Sequence, residues 1–191
     1  MDTGTHEHKP LICTMSVFLI GFMCSGKSRI GRELAQRMGL RHFDIDREIE
    51  RRIGPITPWF QNHGEAAFRE LERGVLAELL DTGHAVISTG GGTPMEGDNM
   101  ARMLAAGTVV FLDVPFDELL ARVEQKGGDR PLLYGLKGDE LRERVRDLLA
   151  VRMPYYSRAT MRVRASGDPH TIVQRIHQGL EGEALRPAQD K

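Results

Sequence analysis

The sequence predicts an α/β fold, a parallel sheet carrying helices on both of its faces. Two observations predict it. Short apolar runs alternate with helical patterns almost to the C-terminal end of the 191 residues, and that alternation marks strands joined by crossover helices. The first apolar run, Val17-Phe18-Leu19-Ile20, passes through a glycine-bearing loop into a helical stripe, the strand–loop–helix order of a phosphate-binding unit.

Each element has a local reason. Val17 to Ile20 is continuously apolar, as a strand buried on both faces requires. Lys27 to Met38 sets Ile30, Leu34 and Met38 on one helical stripe. Arg41-His42-Phe43 reads as a weak second strand, followed by Asp44-Ile45-Asp46 and a helical pattern from Glu48 to Ile53. Thr57-Pro58 reads as a helix start, with threonine as N-cap and proline in the first turn. Glu65 to Leu80 then carries Phe68, Leu71, Val75 and Leu79 on one face. Ala85-Val86-Ile87 is a third strand, ending at Gly90-Gly91-Gly92. Met100, Met103 and Leu104 read as helix core, Thr108 to Leu112 as a fourth strand, and Pro115 to Val123 as a helix. Leu141 to Val151 is a charged amphipathic helix and Met161 to Val163 a fifth strand. Asp168-Pro169 opens a last helix holding Ile172, Val173, Ile176 and Leu180. The stretch from Gly127 to Asp139 follows neither period. It is rich in glycine yet contains Arg130-Pro131-Leu132-Leu133, a mixture that suits a functional lid better than a plain linker.

The loop after the first strand reads Gly21-Phe22-Met23-Cys24-Ser25-Gly26-Lys27-Ser28 and completes the pattern G-x-x-x-x-G-K-[ST]. Its glycines let backbone N–H groups turn inward onto phosphate oxygens. Lys27 brings a positive charge to the outer phosphates, the Ser28 hydroxyl can ligate Mg²⁺, and the following helix points its positive end at the same anion. The chain therefore reads as one that binds a nucleoside triphosphate. Asp44 and Asp46 follow the second strand, at the strand ends where ligands bind in open α/β sheets. In an extended segment these positions face the same way. One carboxylate can then help hold Mg²⁺ while the other accepts a proton from an attacking hydroxyl.

Bulk properties narrow the partners. The formal net charge of −1 gives no reason to expect nucleic acid or an anionic membrane. Two cysteines, Cys13 and Cys24, make neither a disulfide framework nor a metal set, and two reduced thiols fit a cytoplasmic protein. Leu11 to Met23 is too short for a membrane span and runs straight into the phosphate loop. Met15, just before the first strand, reads as a possible native start.

Beyond the phosphate loop and Asp44-Ile45-Asp46, the chain contains, in order, Gly64-Glu65, Phe68-Arg69-Glu70-Leu71-Glu72, Ser88-Thr89-Gly90-Gly91-Gly92, Arg130-Pro131-Leu132-Leu133 and Arg152-Met153-Pro154-Tyr155-Tyr156. Each is short, but their joint order and spacing resemble the shikimate kinases over about residues 15–180. The resemblance implies a three-layer P-loop kinase fold of the nucleoside-monophosphate-kinase type, with a five-stranded parallel sheet and a small lid. It implies transfer of the ATP γ-phosphoryl to the 3-hydroxyl of shikimate, in aromatic amino acid biosynthesis, with Mg²⁺ as cofactor. By that likeness Lys27, Asp46 and Arg130 are catalytic, and residues Gly21 to Arg29, with Arg130, hold ATP. Asp46, Arg69, Gly90, Gly91, Gly92 and Arg152 hold shikimate, and Ser28 and Asp44 hold the metal. The implied organisation is a flexible tail over residues 1–14, one kinase domain over 15–182 and a second flexible tail over 183–191. Within the domain the substrate-binding segment spans about 44–80 and the lid about 127–139. A cytoplasmic monomer with small-molecule partners is expected.

The residues themselves support those roles. A small polyol with one carboxylate calls for guanidinium groups, which bind carboxylates bidentately. Arg69 can also pair with Glu65 or Glu72 along its own helix. Gly90 to Gly92 would let backbone N–H groups come close to substrate, and Arg130 in a closing lid would stabilise developing charge. Three positions depart from the family pattern. Cys24 stands where glycine is most common, so a side chain must be tolerated there. Arg29 replaces a small hydroxylic residue, and the adenine-contact arginine is matched only approximately, by Arg122. His42 and His63 lack ligand spacing, and Trp59 and Phe60 read as an apolar wall. The rival readings are another small-molecule kinase of this fold, such as a gluconate kinase, and a catalytically silent relative that binds a partner protein.

Overall fold

The computed structural model describes residues 15–126 and 130–184. The tail expected over residues 1–14 and residues 185–191 of the tail expected over 183–191 lie outside the described residues, and the last helix continues to Ala184. Five strands form one parallel sheet in the order β2-β3-β1-β4-β5. They are β1 (Ser16–Ile20), β2 (Arg41–Asp44), β3 (Ala85–Ser88), β4 (Gly107–Asp113) and β5 (Met161–Arg164). The central strand, β1, pairs Val17 with Val86 on one side and with Thr108 on the other.

The alternation of side chains along β1 divides the core in two. Val17 and Leu19 face a cluster built with Ile30 and Leu34 of α1 (Lys27–Met38), Leu119 and Val123 of α5 (Phe116–Lys126), and Ile172 and Ile176 of α7 (Pro169–Ala184). Phe18 and Ile20 face the opposite cluster. There Ile45 and Ile49 of α2 (Ile45–Ile53), Phe68 and Leu76 of α3 (Ile56–Leu80) and Met100 of α4 (Asn99–Ala106) pack with Tyr156 of α6 (Gly138–Tyr156). Because both faces are covered, β1 reads as an uninterrupted apolar run, and all five of its residues are buried.

Three local expectations change. Asp44-Ile45-Asp46 is not extended: α2 begins at Ile45, and the Asp44 carboxylate accepts a bond from Arg47 N at 3.3 Å as its N-cap. The strand is cut short because an aspartate that can cap a helix stabilises the turn at once. Thr57 is not an N-cap, since α3 starts at Ile56 with Pro55 before it. The same helix breaks at Gly64, whose φ of 83° and ψ of 173° are outside the helical region. The charged helix expected to stop at Val151 runs through Pro154 to Tyr156. A proline one turn from a helix end removes only one bond, and Arg152 and Tyr156, four residues apart, both turn a buried face to the protein.

Residues 130–139 carry more regular structure than their lack of periodicity suggests. Residues 127–129 lie outside the described residues, but Pro131–Leu133 form a 3₁₀ turn and α6 already starts at Gly138. Leu133 is buried and anchors the turn in the first core cluster.

Candidate active site

The C-terminal ends of β1, β2 and β3 open into a single cleft of about 550 Å³. It lies beside the central strand, where ligands bind in such sheets. Met23 to Arg29, Asp44, Asp46, Arg69, Gly90 to Gly92, Arg130 and Arg152 all line it, whereas Gly21 and Phe22, at the start of the phosphate loop, do not. The sequence-selected residues therefore converge, although they come from separate elements.

The phosphate loop is tightly wound. Gly21 has φ of 145°, and a Cβ there would lie 2.9 Å from Leu112 O, while Gly26 closes the loop at φ of 96° as the N-cap of α1. Between them Cys24 has φ of 61°, the left-handed region, and it is the one non-glycine residue with positive φ among the described residues. The position does accommodate a side chain, as expected, but in a conformation that costs roughly 1–2 kcal/mol relative to glycine. The Lys27 ammonium donates to Gly21 O at 2.9 Å and Phe22 O at 2.8 Å. Burial lowers its pKa from 10.5 to about 8, with Asp46 opposing the shift and Arg130 adding to it.

That depressed value has a pH consequence. An anion at the loop favours the charged lysine, so phosphate binding must raise the pKa of Lys27. Affinity for a non-hydrolysable ATP analogue should be fullest below pH 8 and should weaken as pH rises through the free-enzyme value towards the higher value of the complex. Calorimetric titration from pH 7 to 10 measures this directly. Affinity that stays constant to pH 10 would show that Lys27 does not carry its charge to the nucleotide.

Asp46, in the first turn of α2, accepts from Arg130 Nη1 at 3.1 Å. This pair joins the 130–133 turn to the start of α2 along the cleft. Ser28 is exposed beside the loop, and Asp44 keeps one carboxylate oxygen free of its capping bond. A hydroxyl and a carboxylate on one cleft are the donor set that a phosphate-bound Mg²⁺ takes from protein. Arg29 is exposed and pairs with Glu33 at 3.1 Å.

The two arginines differ sharply. Arg69 pairs along its helix with Glu72 and with Glu65 at 2.8 Å, and its Nε lies 3.5 Å from Glu96. Arg152 is only 2% exposed, stacks over Phe22 with Cζ 5.0 Å from the ring centre, and leaves Nε and Nη1 without a hydrogen-bond partner. No carboxylate lies within salt-bridge distance of it among the described residues. A buried, unpaired guanidinium is expensive; an anion delivered into the cleft would satisfy it.

The three glycines follow from these groups. A Cβ at Gly92 would sit 2.7 Å from Arg69 Nη1, one at Gly91 would sit 3.0 Å from Arg152 Nη1, and one at Gly90 would strike Glu72 Oε1. Close packing of side-chain heads against the turn, in addition to any approach of ligand, requires glycine there. Tyr156 closes the back by donating to Gly91 O at 2.6 Å, and burial pushes its pKa up to about 12, so it keeps that proton. Ile56, Phe60 and Phe68 give the cleft an apolar wall. Trp59 packs behind it, stacked on His63 with ring centres 4.3 Å apart. Arg122 lines the far end, donating to Glu118 and to Ala165 O at 3.1 Å.

Further contacts hold these groups from behind the cleft. His42 Nε2 lies 3.0 Å from Ser88 Oγ, which donates to Lys27 O at 3.0 Å and so ties β2 and β3 to the start of α1. Thr93 donates to Glu72 Oε1 at 2.9 Å. Only the i+3 spacing of Glu72 from Arg69 was visible beforehand; nothing local marks His42, Ser88 or Thr93.

Comparison with known proteins identifies the family and the fold. Residues 23–181 match the family model described as shikimate kinase. A shikimate kinase of Parabacteroides distasonis is 43% identical over 146 residues, covering 76% of this chain and 84% of the relative. The solved structure of the Acinetobacter baumannii shikimate kinase in complex with shikimate superposes with a TM-score of 0.83 at 33% identity, covering 90% of this chain and 96% of that one. A gluconokinase from Sinorhizobium meliloti shares the fold at a TM-score of 0.62 and 18% identity, covering 90% and 94% of the two chains.

Proposed function

Because the chain belongs to the shikimate kinase family, its reaction is the phosphorylation of shikimate, and we propose that the γ-phosphoryl of ATP passes to the 3-hydroxyl through the following division of labour. The observation that carries it is Arg152, a buried guanidinium that lines the cleft together with the phosphate loop, has no carboxylate partner and leaves two nitrogens without a hydrogen bond. The carboxylate of shikimate satisfies those nitrogens, with Arg69 as the second donor. The carbon face of the ring lies against Ile56, Phe60 and Phe68.

Asp46 then faces the hydroxyl. Its carboxylate accepts the hydroxyl proton as the oxygen forms its bond to the γ-phosphorus, and the bond from that phosphorus to the bridging oxygen breaks to release ADP. Lys27 and the loop N–H groups hold the transferring charge. Arg130 exchanges Asp46 for the phosphoryl oxygens when the 127–139 segment acts as a lid. Ser28 and Asp44 would hold Mg²⁺, which when bound neutralises charge on the outer phosphates. No helix among the described residues is long and apolar enough to cross a membrane. We place the reaction in the cytoplasm, in a monomer.

Phosphoryl transfer measured with shikimate, gluconate and quinate tests the proposal. All three acceptors carry a carboxylate, so the comparison reads ring shape and hydroxyl placement. Shikimate should be the preferred acceptor by a wide margin. Preferred turnover of gluconate would support the rival small-molecule kinase, and nucleotide binding without transfer to any acceptor would support a silent partner-binding protein.

A further inference from the structure

Arg69 is flanked by three carboxylates of unequal worth. Glu65 and Glu96 are substantially exposed, whereas Glu72 is 1% exposed. Exposed pairs in water fix little, so the orientation of the Arg69 guanidinium rests on Glu72. A carboxylate that receives a guanidinium on one oxygen can still swivel unless its other oxygen is also held. In this chain it is held: Glu72 Oε2 accepts from Arg69 and Oε1 accepts from the Thr93 hydroxyl at 2.9 Å.

Thr93 is itself fixed. It is fully buried at the start of the 3₁₀ turn Thr93–Met95, its N–H lies 3.4 Å from Gly90 O, and its carbonyl accepts from Asn99 Nδ2 at 2.9 Å. The turn is moulded on the pair, since Cβ atoms at Gly90 and Gly92 would collide with Glu72 and Arg69. Thr93 does not line the cleft, so anything it contributes to substrate must pass through other side chains.

We infer that Thr93 is a positioning residue for substrate binding, its hydroxyl setting the Glu72 carboxylate and thereby aiming Arg69 into the cleft. This rests on the reading of Arg69 as a substrate contact. Thr93→Val removes the hydroxyl at nearly constant volume, and Thr93→Ser keeps it. Steady-state kinetics on the whole chain should show the KM for shikimate raised about tenfold in Thr93→Val, the scale of one hydrogen bond to a charged group. The KM for ATP should stay within about twofold of the parent, and Thr93→Ser should return the KM for shikimate to the parent value, since it keeps the bond. Should valine prevent folding, Thr93→Ala removes the same hydroxyl and is read against Thr93→Ser. A lowered Tm with both KM values unchanged, or equal rises in the two, would overturn the inference and leave Thr93 a packing residue. Arg69→Lys separates the two levels. If it binds shikimate as the parent does, the assignment of Arg69 fails; if it weakens binding while Thr93→Val does not, only the role of Thr93 fails.

Discussion

Replacing Asp46 with asparagine should lower kcat by roughly a hundred- to ten-thousand-fold, the range typical of removing a positioned proton acceptor. The shape of the side chain is nearly preserved and Asp46 lies in the first turn of α2, away from the hydrophobic core, so the fold should survive. Nucleotide affinity should be largely retained, because the loop and Lys27 are untouched. The ion pair with Arg130 at 3.1 Å is also lost. That loss frees Arg130 for the phosphates and so cannot explain a slower reaction. Single-turnover rates alongside ATP titration check the result. Loss of ATP affinity in step with turnover would assign Asp46 to the metal and reverse its division of labour with Asp44.

Lys27→Ala should abolish measurable transfer while leaving Tm close to that of the parent. Two opposing effects make the stability change small. The variant loses donors to Gly21 O and Phe22 O, but it also removes an ammonium whose pKa is depressed to about 8 because burial disfavours its charge. That depression is the sign of a group held at some cost in the folded chain for a ligand's benefit. Stability linked to Lys27 runs the same way. With the folded value below the unfolded one, the penalty is fully present below pH 8 and is relieved as pH rises towards 10.5. Scanning calorimetry without nucleotide, paired with a transfer assay, tests both halves. A Tm well below the parent's would give Lys27 a structural role.

Most of this architecture was legible in the residues, and the exceptions share a cause. The phosphate loop and β1 could be read because each position has a local requirement: positive φ at Gly21 and Gly26, two-sided burial from Val17 to Ile20. The span of α6 was misread because Pro154 signals a stop locally, while burial of Arg152 and Tyr156 on one face, a tertiary effect, keeps the helix going. Asp44 was read as part of an extended pair because capping and strand termination compete at the same residue. The glycine run was recognised, but not that it accommodates the heads of Arg69, Glu72 and Arg152. Those contacts join α3, the turn after β3 and α6, and no spacing within one segment encodes them. The same holds for Thr93, which meets Glu72 across 21 positions.

The central claim is that Arg152, buried with no carboxylate partner and with Nε and Nη1 unbonded, takes the carboxylate of shikimate. Calorimetric titration of the parent and of Arg152→Met with shikimate and with its carboxamide analogue tests it most directly. Methionine preserves much of the buried volume and removes the charge. The parent should strongly prefer the acid, and Arg152→Met should lose most of that preference, with shikimate affinity falling by about 2–5 kcal/mol, as when one partner of a buried charged contact is removed. Affinity for the carboxamide should change far less. If Arg152→Met prefers acid over amide as strongly as the parent does, the Arg152 guanidinium does not read the carboxylate and the account of the site is wrong.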